Sequence, residues 1–313
     1  MFSHTIKFIF LWILLFVFPL LPVNAQIEPN NEVTLNVSVI DKKEGFIKNL
    51  IASDFEISSG KKQQNIKSVI QEDAPLSIGI LFDSSGSLDN LRIKKTEIVN
   101  LVENGLIQFV EAGNPLNEYF ILGFNEQSKI ILDNTQDKTK TLKALEQLSE
   151  TEFKNNTAFY DALSDGIEKI SAGRHQKRVL LLITDGVDNS SKRKLKDVRQ
   201  FLREQNIIVY SVSILDKKFI SSMTGMQGQA FLNQICEATG GWNLVPGKEN
   251  EVSQAFLYIT GELRNQYKIT LDLESEKEDR EWHKLKVKLI GEKSLSSTTI
   301  RTREGFYIEK KEN

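Results

Sequence analysis

Between residues 74 and 264, short apolar runs alternate with longer stretches of helical spacing. The runs at 76–83, 118–124, 179–184 and 207–213, with a short one at 242–245, read as strands. Between them, 88–110, 137–148, 158–171, 195–204, 229–239 and 249–264 read as helices, and 129–132 adds a short hairpin edge strand. Val179-Leu180-Leu181-Leu182-Ile183 is continuously apolar, as a strand covered by helices on both faces must be. Val99, Val102, Leu106 and Phe109 fall along one face of the first helix and mark its core stripe. The alternation predicts an α/β fold, a doubly wound and mostly parallel sheet with right-handed crossovers.

The pattern differs on either side. Val33, Leu35, Val37 and Val39 alternate with Thr34, Asn36 and Ser38, the period of a half-buried strand. Polar turns separate this run from Asp54-Phe55-Glu56-Ile57, and Ala74-Pro75 closes the section. After Arg264 the strand period returns at 267–273, 283–290, 298–301 and 306–308, with a highly charged loop at 274–281. The chain is therefore expected to divide into an N-terminal β extension (26–73), the α/β domain (74–264) and a C-terminal β extension (265–313). The two extensions pair into a small β lobe.

Residues 1–25 do not fit this scheme. Lys7 precedes an almost wholly apolar stretch at 8–21, and Val23-Asn24-Ala25 offers small residues for cleavage before Gln26. This is the pattern of a secretory signal peptide, with an uncleaved membrane anchor as the competing reading. No Cys follows the apolar run, which argues against a lipid anchor. The mature chain is expected to be exported, periplasmic or secreted, without a membrane span. Cleavage removes one positive charge, taking the net charge from −2 to −3. Such a balanced surface lacks the basic footprint of nucleic-acid binding. The single Cys, Cys236, rules out an internal disulfide and sits on the apolar side of a helix with Leu232 and Ile235, as a buried, inert thiol would.

Candidate chemistry gathers where strands run into helices. Asp83-Ser84-Ser85-Gly86-Ser87 lies between the strand 76–83 and the helix from Leu88. It offers a carboxylate and two hydroxyls, Ser85 and Ser87, spaced by two in a tight loop that Gly86 lets turn. Asp185 follows the buried strand 179–184, and Thr157 precedes the helix 158–171. Strand C-termini of a parallel sheet share one edge, so these donors can converge there. A hard divalent cation wants oxygen ligands, about six for Mg²⁺. Two carboxylates neutralise it, three hydroxyls add no charge, and at least one position is left for an outside ligand. Taken singly, Asp83, Ser87 and Thr157 could cap helices and Asp185-Gly186 could be a turn. Their joint occurrence at one edge points to a metal.

Asp83-Ser84-Ser85-Gly86-Ser87, Thr157 and Thr184-Asp185-Gly186 resemble the metal-ion-dependent adhesion site of von Willebrand factor type A domains. The resemblance spans about residues 75–264. It implies Mg²⁺, with Mn²⁺ or Ca²⁺ as alternatives, held by Asp83, Ser85, Ser87, Thr157 and Asp185, in part through water. Ser53-Asp54-Phe55-Glu56, Leu263-Arg264-Asn265-Gln266-Tyr267 and Arg303-Glu304-Gly305-Phe306-Tyr307 are similar to a bacterial exported subfamily in which β extensions flank the domain.

The function expected is an exported adhesion module, not an enzyme, that captures a protein ligand through an acidic side chain completing the metal's shell. A metal-dependent hydrolase is the main rival, but no His or Glu beside the cluster is placed as a general base. An envelope-assembly scaffold with a structural metal is the second. Residues 216–228, with Phe219, Met223 and Met226 among Gly and Ser, read as a loop at the ligand rim, and Asp188 can reach that rim or cap a helix. His175 and His283 have no zinc or triad spacing and read as surface residues.

Overall fold

A computed structural model of the chain describes residues 32–86, 95–148, 156–213, 221–273, 281–291 and 297–307. The expected signal peptide, Ser87, Phe219 and most of the charged loop 274–281 lie outside these residues.

In chain order the first strands are β1 (Glu32–Asp41), β2 (Gly45–Phe46), β3 (Phe55–Ser59), β4 (Lys62–Gln63) and β5 (Asn65–Gln71). The alternating section supplies β6 (Ser77–Asp83), α1 (Lys95–Ala112), β7 (Glu118–Phe124), β8 (Ser128–Thr135), α2 (Lys138–Leu145) and α3 (Phe159–Ser171). It continues with β9 (Arg178–Ile183), α4 (Leu195–Glu204), β10 (Ile207–Val212), α5 (Met223–Thr239), β11 (Asn243–Leu244) and α6 (Glu249–Arg264). The last strands are β12 (Tyr267–Asp272), β13 (Trp282–Leu289), β14 (Thr298–Arg301) and β15 (Gly305–Tyr307).

The central sheet has the order β11-β10-β9-β6-β7-β8, parallel except for β8, which returns antiparallel beside β7. Every residue of β6, β7 and β10 is buried, and helices cover both faces. Ile78, Ile80 and Phe82 of β6, with Leu181 and Tyr210, pack against α1 and α6 through Val99, Val102, Leu106 and Phe256. The alternate residues Leu81, Leu180 and Leu182 pack against α3, α4 and α5 through Leu163, Val198 and Leu232. Period-two side chains thus feed two separate cores from one sheet. The fold is α/β and doubly wound. Strand order reverses at β6: the chain leaves toward β7 and returns on the other side at β9. Such a switch point opens a crevice at the carboxyl ends of the strands.

The terminal strands form two further sheets, β14-β1-β12-β5 with β2 beside β1, and β15-β13-β3-β4. They enclose a third core of Leu35, Val37, Phe55, Ile57, Tyr267, Ile269 and Phe306. The α/β section is fastened to these sheets by the Phe46 ring packed on Tyr258 of α6 and by polar contacts. Glu262 of α6, fully buried, pairs with Arg301 of β14 at 2.7 Å, and the Arg301 guanidinium lies 4.2 Å over the Trp242 ring. The Gln266 amide donates to Ser38 Oγ at 3.0 Å, and Glu304 N–H donates to the Ala238 carbonyl at 2.9 Å.

Several element boundaries differ from those the sequence predicts, among them those of α5 and β8. α5 begins at Met223, not at 229, because Ser222 caps it by accepting the Gly225 N–H at 3.0 Å. Gly228, unfavourable in a helix, is used for close packing described below. β8 is longer than its expected core at 129–132 and half exposed, as an edge strand can be. His175 and His283 are half-buried rather than free on the surface: the His175 N–H donates to Ser77 Oγ, and the His283 ring stacks on Phe306.

Burial pushes the Glu262 carboxyl pKa up, and Arg301 is the largest influence opposing it. Arg301→Met leaves that buried charge without its ion pair. Urea unfolding should show a loss of roughly 3 kcal/mol; a loss below about 1 kcal/mol would show that the pair does not fasten α6 to β14.

Candidate functional site

Asp83 closes β6 and Thr184-Asp185 follows β9, so parallel pairing of the two strands puts both carboxylates at the switch point. Both are buried, at 4% and 5% exposure, as are Ser85 and Thr157. The Asp83 carboxylate accepts the Ser85 N–H at 2.9 Å and the Thr184 hydroxyl at 2.6 Å. The first bond folds the Asp83-Ser84-Ser85 turn back on itself; the second ties the end of β6 to the end of β9. Thr184 Oγ1 in turn accepts the Gly186 N–H at 3.1 Å, and the Asp185 carboxylate accepts the Val187 N–H at 2.9 Å. In sequence Thr184 is marked only by its position before Asp185. Its role as the tie between the two aspartates needed the fold.

The electrostatics of this pair are unfavourable. Burial, then the nearby Asp185 charge, pushes the Asp83 pKa up to about 7, against the lowering effect of the Thr184 and Ser85 hydrogen bonds. Two carboxylates held together out of water repel each other unless a proton or a cation intervenes. Among the described residues no group of three or more His, Cys, Asp or Glu side chains is placed to hold a metal. The site's capacity for a cation therefore rests on two carboxylates supplemented by hydroxyls. That donor set fits a hard divalent ion, whose charge two carboxylates balance.

Thr157 is brought to the same edge by backbone bonds. Its N–H donates to Asn189 Oδ1 at 2.8 Å, and its carbonyl accepts the N–H groups of Asn189 and Ser190. The next residue, Ala158, donates to the Asn125 carbonyl just past β7, while Ser84 N–H donates to the Phe124 carbonyl at 2.7 Å. The turns after β6, β7 and β9 and the approach to α3 are thus laced into one rim. Thr157 does not cap α3; the N-cap is Ala158, whose side chain makes no capping bond.

Asp188 supplies the cap instead. Its carboxylate accepts the Tyr160 N–H in the first turn of α3 at 3.0 Å, and the Ser191 hydroxyl. Asp161 of α3 reciprocates by accepting the N–H groups of Lys192 and Arg193. Asp188 is therefore engaged in framing the site, by capping a helix other than the one that follows it in sequence.

Met223 and Met226, expected on a loop, stand on the first turns of α5 with 78% and 61% of their surface exposed. That end of α5 abuts the Asp185 turn. Gly186 has φ +79°, and a Cβ on Gly228 would lie 2.5 Å from the Asp185 carbonyl oxygen. Only glycine fits at either position. One residue on, Gln229 donates to the same Asp185 carbonyl at 3.3 Å and accepts from the Asn243 amide at 2.9 Å. Gly228 and Gln229 were not singled out from sequence. A glycine inside a helix pattern is the signal that could have found the first.

The family profile of the von Willebrand factor type A domain matches residues 77–250, more than half of the chain. The chain belongs to that family. No match is found among curated proteins. Among solved structures, it resembles proximal thread matrix protein 1 from the mussel byssus at 15% identity and a TM-score of 0.50, over 65% of this chain and 49% of that one. The same protein with a zinc-occupied MIDAS motif matches at 14% identity and a TM-score of 0.51, over 65% and 49% of the two chains. This chain thus spans about half the length of the byssus protein. A von Willebrand factor type A protein from Catenulispora acidiphila matches at 12% identity and a TM-score of 0.49, over 85% and 76%.

If Asp83 and Asp185 repel each other, Asp83→Asn should stabilise the protein in chelator by about 1 kcal/mol. Thermal unfolding in EDTA measures this, and a lower melting temperature for the variant would refute the repulsion.

Proposed function

We propose that this member of the von Willebrand factor type A family is an exported binding module that captures a protein ligand through a divalent cation. The observation that carries the reading is the pair of buried, mutually repelling carboxylates at the switch point, Asp83 and Asp185, with hydroxyls beside them. Asp83, Ser85, Thr157 and Asp185, together with Ser87, would hold the ion. When bound, the ion supplies a coordination position that an acidic side chain of the partner completes. The zinc-occupied MIDAS motif of the byssus protein supports a divalent ion here; Mg²⁺ is our choice, with Mn²⁺ and Ca²⁺ as alternatives.

The chain's own groups divide the work. Thr184 and the Ser85 N–H orient Asp83, and the Val187 N–H orients Asp185. Gly186, Gly228 and Gln229 fix the height of the Asp185 turn against α5. Met223 and Met226 present soft, adaptable apolar surface at the end of α5 that abuts this turn, suited to residues flanking the partner's carboxylate. We read the act as reversible binding without chemical transformation. Export rests on the apolar segment at 8–21 and the small residues before Gln26. Among the described residues no helix is long and apolar enough to cross a membrane.

Capture of envelope proteins on the immobilised chain should require Mg²⁺, be lost in EDTA and be lost in Asp83→Ala. Capture that survives both treatments would refute the mechanism. Met223→Ser with Met226→Ser should leave metal affinity unchanged while weakening the captured partner at least tenfold, as read by surface plasmon resonance. Unchanged partner affinity would remove the two methionines from the interface.

A further inference from the structure

A second concave site lies away from the carboxylate edge, between α4, α5 and the turn joining β14 to β15. It is a shallow cleft of about 50 Å³, partly open to solvent, with room for a small ion rather than a drug-sized ligand. Asn206 and Ile207 on its wall lie at the start of β10, and Ile207 pairs in register with Arg178 at the start of β9. The cleft is therefore at the amino ends of the parallel strands. A six-residue strand, about 20 Å, separates it from the carboxyl edge.

Its walls carry three guanidiniums, Arg199, Arg203 and Arg303, against one carboxylate, Glu304. The three are partnered unequally. Arg203 donates to Glu304 through Nε and Nη2, at 3.2 and 3.1 Å, and lies 5.2 Å over the Trp282 ring. Arg303 donates to the Gly305 carbonyl and reaches Asn206 Oδ1 at 3.4 Å, both neutral acceptors. Burial pulls its pKa down to about 10, and no carboxylate offsets that cost. Arg199 donates through Nη2 to the Gln234 side-chain oxygen, again neutral. Its Nε is buried and has no hydrogen-bond partner among the described residues.

Two positive charges in this cleft thus lack a counter-charge, and one buried donor lacks an acceptor. A guanidinium's planar fork matches two oxygens of a carboxylate or phosphate. Arg203, already neutralised by Glu304 and seated over the Trp282 ring, serves as wall.

We propose that the cleft between α4, α5 and the β14–β15 turn binds a small oxyanion of two negative charges, with Arg199 and Arg303 as its recognition forks. A phosphate ester and a dicarboxylate share this chemistry. The site is separate from the cation site and holds whether or not that site binds metal.

The test is calorimetric titration of the full chain, in EDTA at fixed ionic strength, with inorganic phosphate and with succinate. At least one should bind with a Kd of a few millimolar or tighter. Arg303→Gln and Arg199→Gln should each weaken it tenfold or more, and Asp83→Asn should leave it unchanged. Arg303→Lys keeps the charge but loses the fork and should also weaken binding, with a melting temperature close to that of the parent showing that the fold is kept. Tighter phosphate binding marks a phosphorylated ligand, tighter succinate binding a carboxylate one. The proposal is overturned if neither probe binds, or if binding survives the arginine substitutions.

Discussion

Two aspartates that would be apart in an extended chain meet at the carboxyl edge of the central sheet, out of water and close enough to oppose each other's ionisation. Much of the surrounding architecture serves to keep them there. The Thr184 hydroxyl bonds across from β9 to Asp83, and the Ser84 N–H bonds to the end of β7. The Asp185 turn is clamped from behind by Gly228 and Gln229 of α5. A like-charge pair held this firmly stores unfavourable energy in the absence of a cation, and the same energy becomes affinity when one is bound. Stability given up at a site is a recurrent mark of function.

The fold makes the arrangement possible in a simple way. Parallel strands deliver their carboxyl ends to one edge, and the reversal of strand order at β6 opens that edge between β6 and β9. The two helical layers bury both faces of the sheet through separate cores. The terminal strands form two packed sheets with their own core. They join the α/β section through the Glu262–Arg301 pair and through the Phe46 ring of β2 packed on Tyr258 of α6.

The sheet was legible because its strands are unbroken apolar runs: 118–124 was read from sequence with the bounds of β7 as found, and Val179–Ile183 needed no tertiary information. Helices α4 and α6 were likewise readable to the residue. The start of α5 was not, because Met223–Gly228 carries two glycines that local propensity assigns to a loop. Of the two, Gly228 lies against the backbone of the Asp185 turn, and only the tertiary fold reveals that contact. Of the candidate site, Asp83, Ser85 and Asp185 stand out in sequence by residue type and position after strands, and Thr157 by its place before a helix. The residues that hold them, Thr184, Asn125, Asn189 and Gln229, are ordinary polar residues in sequence, and their roles depend on neighbours distant along the chain. Asp188 showed the same limit: a cap was one of its two readings, yet the helix it caps is α3, which precedes it by some thirty residues.

The central claim is that Asp83 and Asp185 share a divalent cation. Crystals of the full chain soaked in Mn²⁺ and measured near the manganese edge test it most directly. An anomalous peak bounded by Asp83, Ser85, Thr157 and Asp185 is expected. Well-ordered crystals with no peak there, or with manganese bound only elsewhere, would contradict it.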